Sequence, residues 1–278
     1  MHGCLRQLDP TCWGVRKLSR PVLESFHFFL VMALVSWALG TMCGRRLVRW
    51  AGDTLSRQLP WHPLRQRAML QRWEESAVSL VVHAWFAWQG AGLLRQGTAR
   101  AAQLAFMQQQ LCNWIVVAAY CMCIDAKRKD HTQMVLHHAV TLGLIGGCLA
   151  TDALSVGVLV VFLHDATDLL VELTKLSHYL DLHGPTRGYV AEICFVINLG
   201  VWVAVRNVYF TLSVVPHFTQ HARSMAEMLL AAGLWALALM HALWLRMFLD
   251  ILPKLGQGRQ AGSDYEQYER QTKKMDVA

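Results

Sequence analysis

The amino-acid sequence predicts an all-α, polytopic membrane protein with about seven transmembrane helices, and three observations carry the prediction. Of the 278 residues, 54% are hydrophobic and only 16% charged, whereas an ordinary water-soluble domain carries about 25% charged residues. The mean hydropathy is positive, at +0.28. Apolar runs of the ~20 residues needed to cross a hydrocarbon core recur along the chain. Intrinsic disorder is excluded by the same figures, since it needs low hydrophobicity and high net charge.

Spans are predicted at 25–44, 76–94, 104–124, 132–150, 154–173, 189–212 and 225–249. The first is expected to stay as an anchor: Pro10, Arg16, Lys17 and Arg20 make a poor leader sequence, and the apolar run is longer than one needs. The third is interrupted by Gln108, Gln109 and Gln110, and the fifth carries three acids. Both are retained because of the polar pattern described below. Gly143 and Gly147, four apart in the fourth span, suit close helix packing. Around these spans the chain divides into an N-terminal segment (1–24), the anchor (25–44), a basic linker (45–72), the main membrane domain (73–252) and a polar tail expected to be disordered (253–278).

Charge sets the expected orientation. With seven spans, seven basic residues fall on the face of the N-terminus and seventeen on the other, with Arg206 and Arg246 inside helices. The positive-inside rule makes the richer face cytosolic, so the N-terminus is expected to be lumenal or exterior and the tail cytosolic. The linker alternates Arg with Leu and Trp, including Trp50 and Trp61, which suits a segment lying along headgroups. A nucleic-acid role is set aside, because about 28 residues containing Pro60 and Pro63 cannot form a three-helix DNA-binding unit. Of the eight cysteines, Cys43, Cys112, Cys121, Cys123, Cys148 and Cys194 lie in apolar runs without redox or metal spacing and read as small hydrophobes.

Ionisable groups inside a span are costly and need partners. The fourth span carries His137, His138 and Thr141; the fifth carries His164, Asp165, Asp168 and Glu172 and ends near Lys175. At ~100° per residue, His164, Asp168, Glu172 and Lys175 form one stripe, with Asp165 beside it. A tight turn near 151–154 brings His137 level with Asp168 and Thr141 level with His164. A buried imidazole supported by a carboxylate is a base or nucleophile, and Lys127, Arg128 and Lys129 at the mouth suit a phosphate-bearing cosubstrate. Structural pairing between helices is the plainer reading of any one of these residues, and the opposed clusters weigh against it. No metal is assigned, because adjacent His137 and His138 diverge by about 100° and the repeated His boxes of membrane di-iron sites are missing. His83 and Glu192 read as satisfied polar contacts. Trp114 and the Gln108–Gln110 run fit either pocket lining or helix packing, and Arg206 and His241 fit either pocket or structural pairing.

At these residues the sequence resembles the ceramide synthases of the TLC superfamily. Residues 125–141, DAKRKDHTQMVLHHAVT, match the family's KRKDF…M…HHxxT pattern, with His131 where Phe is usual. Residues 163–175, LHDATDLLVELTK, resemble LHDxSDxxLExxK. Arg206 resembles the family's sixth-span arginine, and Leu239-Met-His241-Ala-Leu-Trp244 its LLHxxW. The likeness covers roughly 66–255.

The resemblance implies a TLC-type helical barrel around a central pocket. It also implies an acyl-CoA-dependent N-acyltransferase of the endoplasmic reticulum membrane that joins a fatty acyl group to the amine of a sphingoid base. His137, His138, His164, Asp165 and Asp168 would be catalytic, one of the adjacent histidines acting as base or carrying the acyl group. Thr141, Glu172, Lys175, Arg206 and His241 would bind substrate, and Lys127, Arg128 and Lys129 the CoA phosphates. Acyl-CoA is the cosubstrate and no tightly bound cofactor is implied; partners are membrane lipid and the two substrates, with a homodimer left open. Acyl chain length would be set near the last loop, Ser213 to Ser224. A non-enzymatic TLC-domain lipid-binding or lipid-sensing protein is the alternative, ahead of a receptor, which gives no reason for the opposed His and His-Asp motifs.

Overall fold

The computed structural model describes residues 20–56, 63–96, 99–125, 130–180 and 182–253, with side chains described from Ala33 onward apart from those of 55–71. These residues form seven long helices: α1 (Arg20–Ser56), α2 (Pro63–Gln96), α3 (Arg100–Cys123), α4 (His131–Thr151), α5 (Leu154–Tyr179), α6 (Val190–His221) and α7 (Met225–Leu249). No strand occurs among them. Five are long and apolar enough to cross a membrane: α2 from Arg72, α4, α5, α6 and α7. The fifth span, despite its acids, is one of these. The third, α3, is not, and its glutamines explain why. The helices also extend into the basic linker from both ends, α1 running on to Ser56 and α2 starting at Pro63.

The outside of the molecule is apolar. Val81, Trp85 and Trp88 on α2, Ile193, Val196, Val208 and Leu212 on α6, and Leu229, Leu239 and Leu243 on α7 are all exposed. Exposed apolar area spread over three helices is unusual in a soluble monomer and normal against lipid. The chain is therefore a polytopic helical membrane protein.

Contacts between helices run in a circuit. α1 packs on α2, α2 on α5, α5 on α6, α6 on α7, α7 on α4, α4 on α3, and α3 returns to α1, while α3 also reaches across to α5. The α4–α7 seam is close because glycines face leucines. A Cβ on Gly147 would lie 2.5 Å from Leu230, and one on Gly233 2.8 Å from Leu144, whereas Gly143 has nothing within 4 Å. Of the predicted glycine pair, only Gly147 is a packing contact. On the other side, Gly157 of α5 receives Met107 of α3. Buried Phe86 stacks between Trp37 of α1 and Phe106 of α3.

Two connections are shaped by particular residues. Asp152 takes the left-handed conformation that ends α4 (φ 61°), and Arg100 at the start of α3 grips both its carboxylate oxygens at 2.8–2.9 Å. α4 and α5 leave this turn with few contacts between them. Helix α7 opens with a capping box, Ser224 Oγ accepting from the Glu227 N–H while the Glu227 carboxylate accepts from the backbone of Arg223 and Ser224. Within α6, residues Trp202–Val214 wind as a π-helix between α-helical ends. Such wide turns are uncommon and favour functional positions. Pro216 lies in the first turn after it, where the return to α-helical pairing leaves a position without a donor.

Candidate active site

The site is built in two layers that meet in the middle of α4, α5, α6 and α7. The first holds the adjacent histidines. His137 and His138 are 7% and 4% exposed, and Thr141 lies one turn further on the same buried face. Aromatic rings hold both imidazoles. Trp114 of α3 meets His137 at 5.7 Å and His138 at 5.5 Å between centroids, and Trp244 of α7 meets His137 at 5.2 Å. Among the described residues neither imidazole is hydrogen-bonded to a carboxylate, and the Nδ1 atoms of both, with the Thr141 hydroxyl, are buried without hydrogen-bond partners. The expectation that a carboxylate orients these rings is not met; indole packing does that instead.

The second layer is a polar network in which, among the described residues, His241 Nδ1 is the buried atom left without a partner. His164 Nδ1 donates to the Val160 carbonyl at 2.7 Å, so in the neutral ring its Nε2 is a lone pair. His241 Nε2 faces that lone pair at 3.0 Å and must therefore be the donor. Arg206 donates to the Thr167 hydroxyl (2.7 Å) and the His164 carbonyl (3.0 Å), pairs with Asp168, and lies over the Trp202 ring. The π-helical winding of α6 thus carries a guanidinium into the core, where one side chain satisfies the acid, the hydroxyl and the backbone of α5.

Asp165 faces elsewhere. It is 1% exposed, its Oδ1 accepts from His83 Nδ1 on α2 at 2.8 Å, and its Oδ2 accepts from Gln110 Nε2 on α3 at 2.6 Å. His83 is a satisfied polar contact as the sequence suggests, whereas Glu192 is only half satisfied: its Oε1 accepts from His183 and the Gly184 N–H, and its Oε2 is buried without a partner among the described residues. Glu172, predicted on the same stripe, has one oxygen on Lys175 (2.7 Å) and the other buried without a partner among the described residues. Lys127, Arg128 and Lys129 lie outside the described residues.

The two layers are joined by rings: Trp244 touches His137 and Trp202, and Trp202 touches His241. Trp202, Trp244 and Phe210 were given no role from the sequence, although Trp244 closes the Leu239–Trp244 stretch. The available signal was their spacing, Trp202 one turn before Arg206 and Trp244 one turn after His241. Toward the α4–α5 turn the polar layers give way to a small, open-mouthed apolar pocket of about 20 Å³. It is lined by Met107, Ile145, Val160, Phe218, Leu230 and Leu234, among others. It starts within a turn of Thr141 on one helix and of His164 on the other.

Chemically, the arrangement offers imidazoles with lone pairs in a dry aromatic box, acids neutralised nearby, and an apolar space alongside. The family model described as the TLC domain matches residues 25–250. Ceramide synthase 1 of Mus musculus is 29% identical over 73% of this chain and 63% of its own length. Ceramide synthase LOH2 of Arabidopsis thaliana is 25% identical over 69% and 70%. Ceramide synthase hyl-2 of Caenorhabditis elegans reaches 40%, but over 31% of this chain and 25% of its own. The matched part therefore spans between a quarter and about two thirds of these relatives. With 226 consecutive positions under one family model and the histidine and acid motifs inside them, the chain belongs to the TLC-domain family.

Proposed function

We propose that the protein is a ceramide synthase, transferring a fatty acyl group from acyl-CoA to the amine of a sphingoid base. The observation that carries this reading is the pair of buried imidazoles with unpartnered nitrogens, about two turns along α4 from a small apolar pocket. A buried polar group normally has its hydrogen bonds made; on these two rings Nδ1 is left open for a thioester carbonyl.

In this reading one of His137 and His138 attacks the thioester carbonyl, forming an acyl-imidazole as the CoA thiolate leaves, or acts as base for direct attack by the amine. The sphingoid ammonium, with a pKa of about 10, must lose a proton before it attacks. Of the three acids of α5, Asp165 has both oxygens engaged and Asp168 is held by Arg206, so Glu172 is the carboxylate with an oxygen to offer that ammonium. Thr141 and Lys175 complete the substrate contacts, and Arg206, His164 and His241 keep the acid layer in place. Lys127, Arg128 and Lys129 bind the CoA phosphates at the cytosolic mouth. The acyl chain enters at the apolar pocket by parting the helices that line it, and the pocket's Phe218 belongs to the Ser213–Ser224 stretch assigned to chain-length choice.

The circuit of helix contacts supports a seven-span barrel around this pocket. We place it in the endoplasmic reticulum membrane, with the N-terminus lumenal and the tail cytosolic. The test is purified protein given a sphingoid base and acyl-CoAs of graded length, with products read by mass spectrometry. Amide forms with a preferred chain length, His138→Ala abolishes it while the protein still inserts and melts cooperatively, and Asp168→Asn, which keeps an oxygen for Arg206, lowers it. Folded wild-type protein that makes no amide across the series would instead point to lipid binding without catalysis.

A further inference from the structure

Asp165 is drawn away from the histidines toward α2 and α3, and the chain of bonds that starts there comes back to them. His83 donates to Asp165 Oδ1 at 2.8 Å, Gln110 Nε2 donates to Asp165 Oδ2 at 2.6 Å, and Trp114 Nε1 donates to Gln110 Oε1 at 3.1 Å. The indole at the end of this chain is the ring packed against both His137 and His138. Gln110 is fully buried, and Trp114 is nearly so.

We propose that His83, Asp165, Gln110 and Trp114 form a brace that orients the histidine pair, with Gln110 as its central positioning residue. An imidazole without hydrogen bonds is free to turn about its outer torsion unless packing stops it. The only polar handle on the Trp114 ring is its N–H, and Gln110 holds that handle. Gln110 is itself fixed in one orientation: its amide must give a hydrogen atom to Asp165 and take one from Trp114, so the flipped amide would set oxygen against oxygen. Leu and Met fill the space but make neither bond. Glu makes the second and, once ionised, opposes the first. Asp165 therefore serves the histidines at one remove, through a tryptophan, and the glutamines that spoil the hydropathy of α3 include the residue that spans the gap.

The brace rests on the acyltransferase reading for its kinetic consequences and on the fold alone for its geometry, so both are measured on the full-length protein in lipid nanodiscs. Gln110→Leu lowers kcat by about 10- to 100-fold, the scale expected when a reacting group is misplaced by about 1 Å, while KM for acyl-CoA and base stays within about threefold. Trp114→Phe, which keeps an aromatic ring but loses the N–H together with the fused five-membered ring, gives a loss of kcat while the protein still melts cooperatively. Gln110→Glu gives a pH signature. The introduced carboxyl and Asp165 share a proton, so kcat approaches wild type at low pH and falls as rising pH removes that proton. The groups facing this pair are His83 on α2, His164, Asp168 and Glu172 on α5, Arg206 on α6, and the two histidines of α4. The same pH series on His83→Asn and on wild type separates their titration from that of the new carboxyl.

A readout free of turnover accompanies these: the rate at which diethylpyrocarbonate modifies His137 and His138, mapped by mass spectrometry, rises in Gln110→Leu and in Trp114→Phe. Wild-type kcat and wild-type modification rates in folded Gln110→Leu overturn the brace. So does a loss of kcat in Gln110→Glu that is the same at every pH. If wild type makes no amide, the function falls and the modification rates alone decide the brace.

Discussion

Arg206 shows how one side chain can set the state of a site. Its guanidinium meets Asp168, the Thr167 hydroxyl and the His164 carbonyl while lying on Trp202. Removing one partner of a buried pair leaves the other uncompensated, typically at a cost of about 3–5 kcal/mol. Arg206→Met is expected to lower the melting temperature sharply in detergent. Adding Asp168→Asn to it recovers part of the loss, because the stranded charge is gone; no recovery in the double variant would show that the arginine works by packing alone. The sequence announced the ionisable members of this network, because a charge in an apolar run stands out. It was silent about which acid would face which base, since that depends on rotations of α5 and α6 that residue spacing along one helix does not encode. Asp165 and Asp168 sit three apart in one motif yet serve opposite sides of the molecule.

At the level of elements, helix existence was readable nearly throughout, because apolar runs of span length are an unambiguous signal. The π-helical winding of α6 left no such trace: Trp202–Val214 contains neither Gly nor Pro to mark it. The glycine seam between α4 and α7 was half readable. Gly147 and Gly233 meet leucines of the facing helix while Gly143 faces open space, and only the three-dimensional partner tells these apart. Gly233→Val is therefore expected to cost about 1–3 kcal/mol through overpacking. Gly143→Ala is expected to stay within about 0.5 kcal/mol. Thermal melts of the two variants in the same detergent check the contrast, and equal effects would mean that the seam is not tightly packed.

For the whole molecule, the circuit in which each helix touches two neighbours, with α3 reaching across it, places the histidines, the acid layer and the apolar cavity on the inner faces of different helices. Sequence order hides that circuit, since α5 packs most extensively on α2 rather than on its chain neighbour α4. Orientation in the membrane is a prediction from charge: an N-glycosylation acceptor fused ahead of Met1 is expected to be modified in cells, and one fused after Ala278 to stay bare. Modification of the second tag would reverse the side from which acyl-CoA is placed to enter.

The turn between α4 and α5 makes those two helices a pair of levers with one pivot. Arg100 fastens Asp152 at the joint, so any relative swing is nil there and grows along the arms. His137 stands fourteen residues from the end of its arm, roughly 21 Å at 1.5 Å per residue, where a rotation of about five degrees changes the gap by close to 2 Å. A wedge as slight as one hydrocarbon chain entering between the arms would thus set the reach between the imidazole on one and the acids on the other.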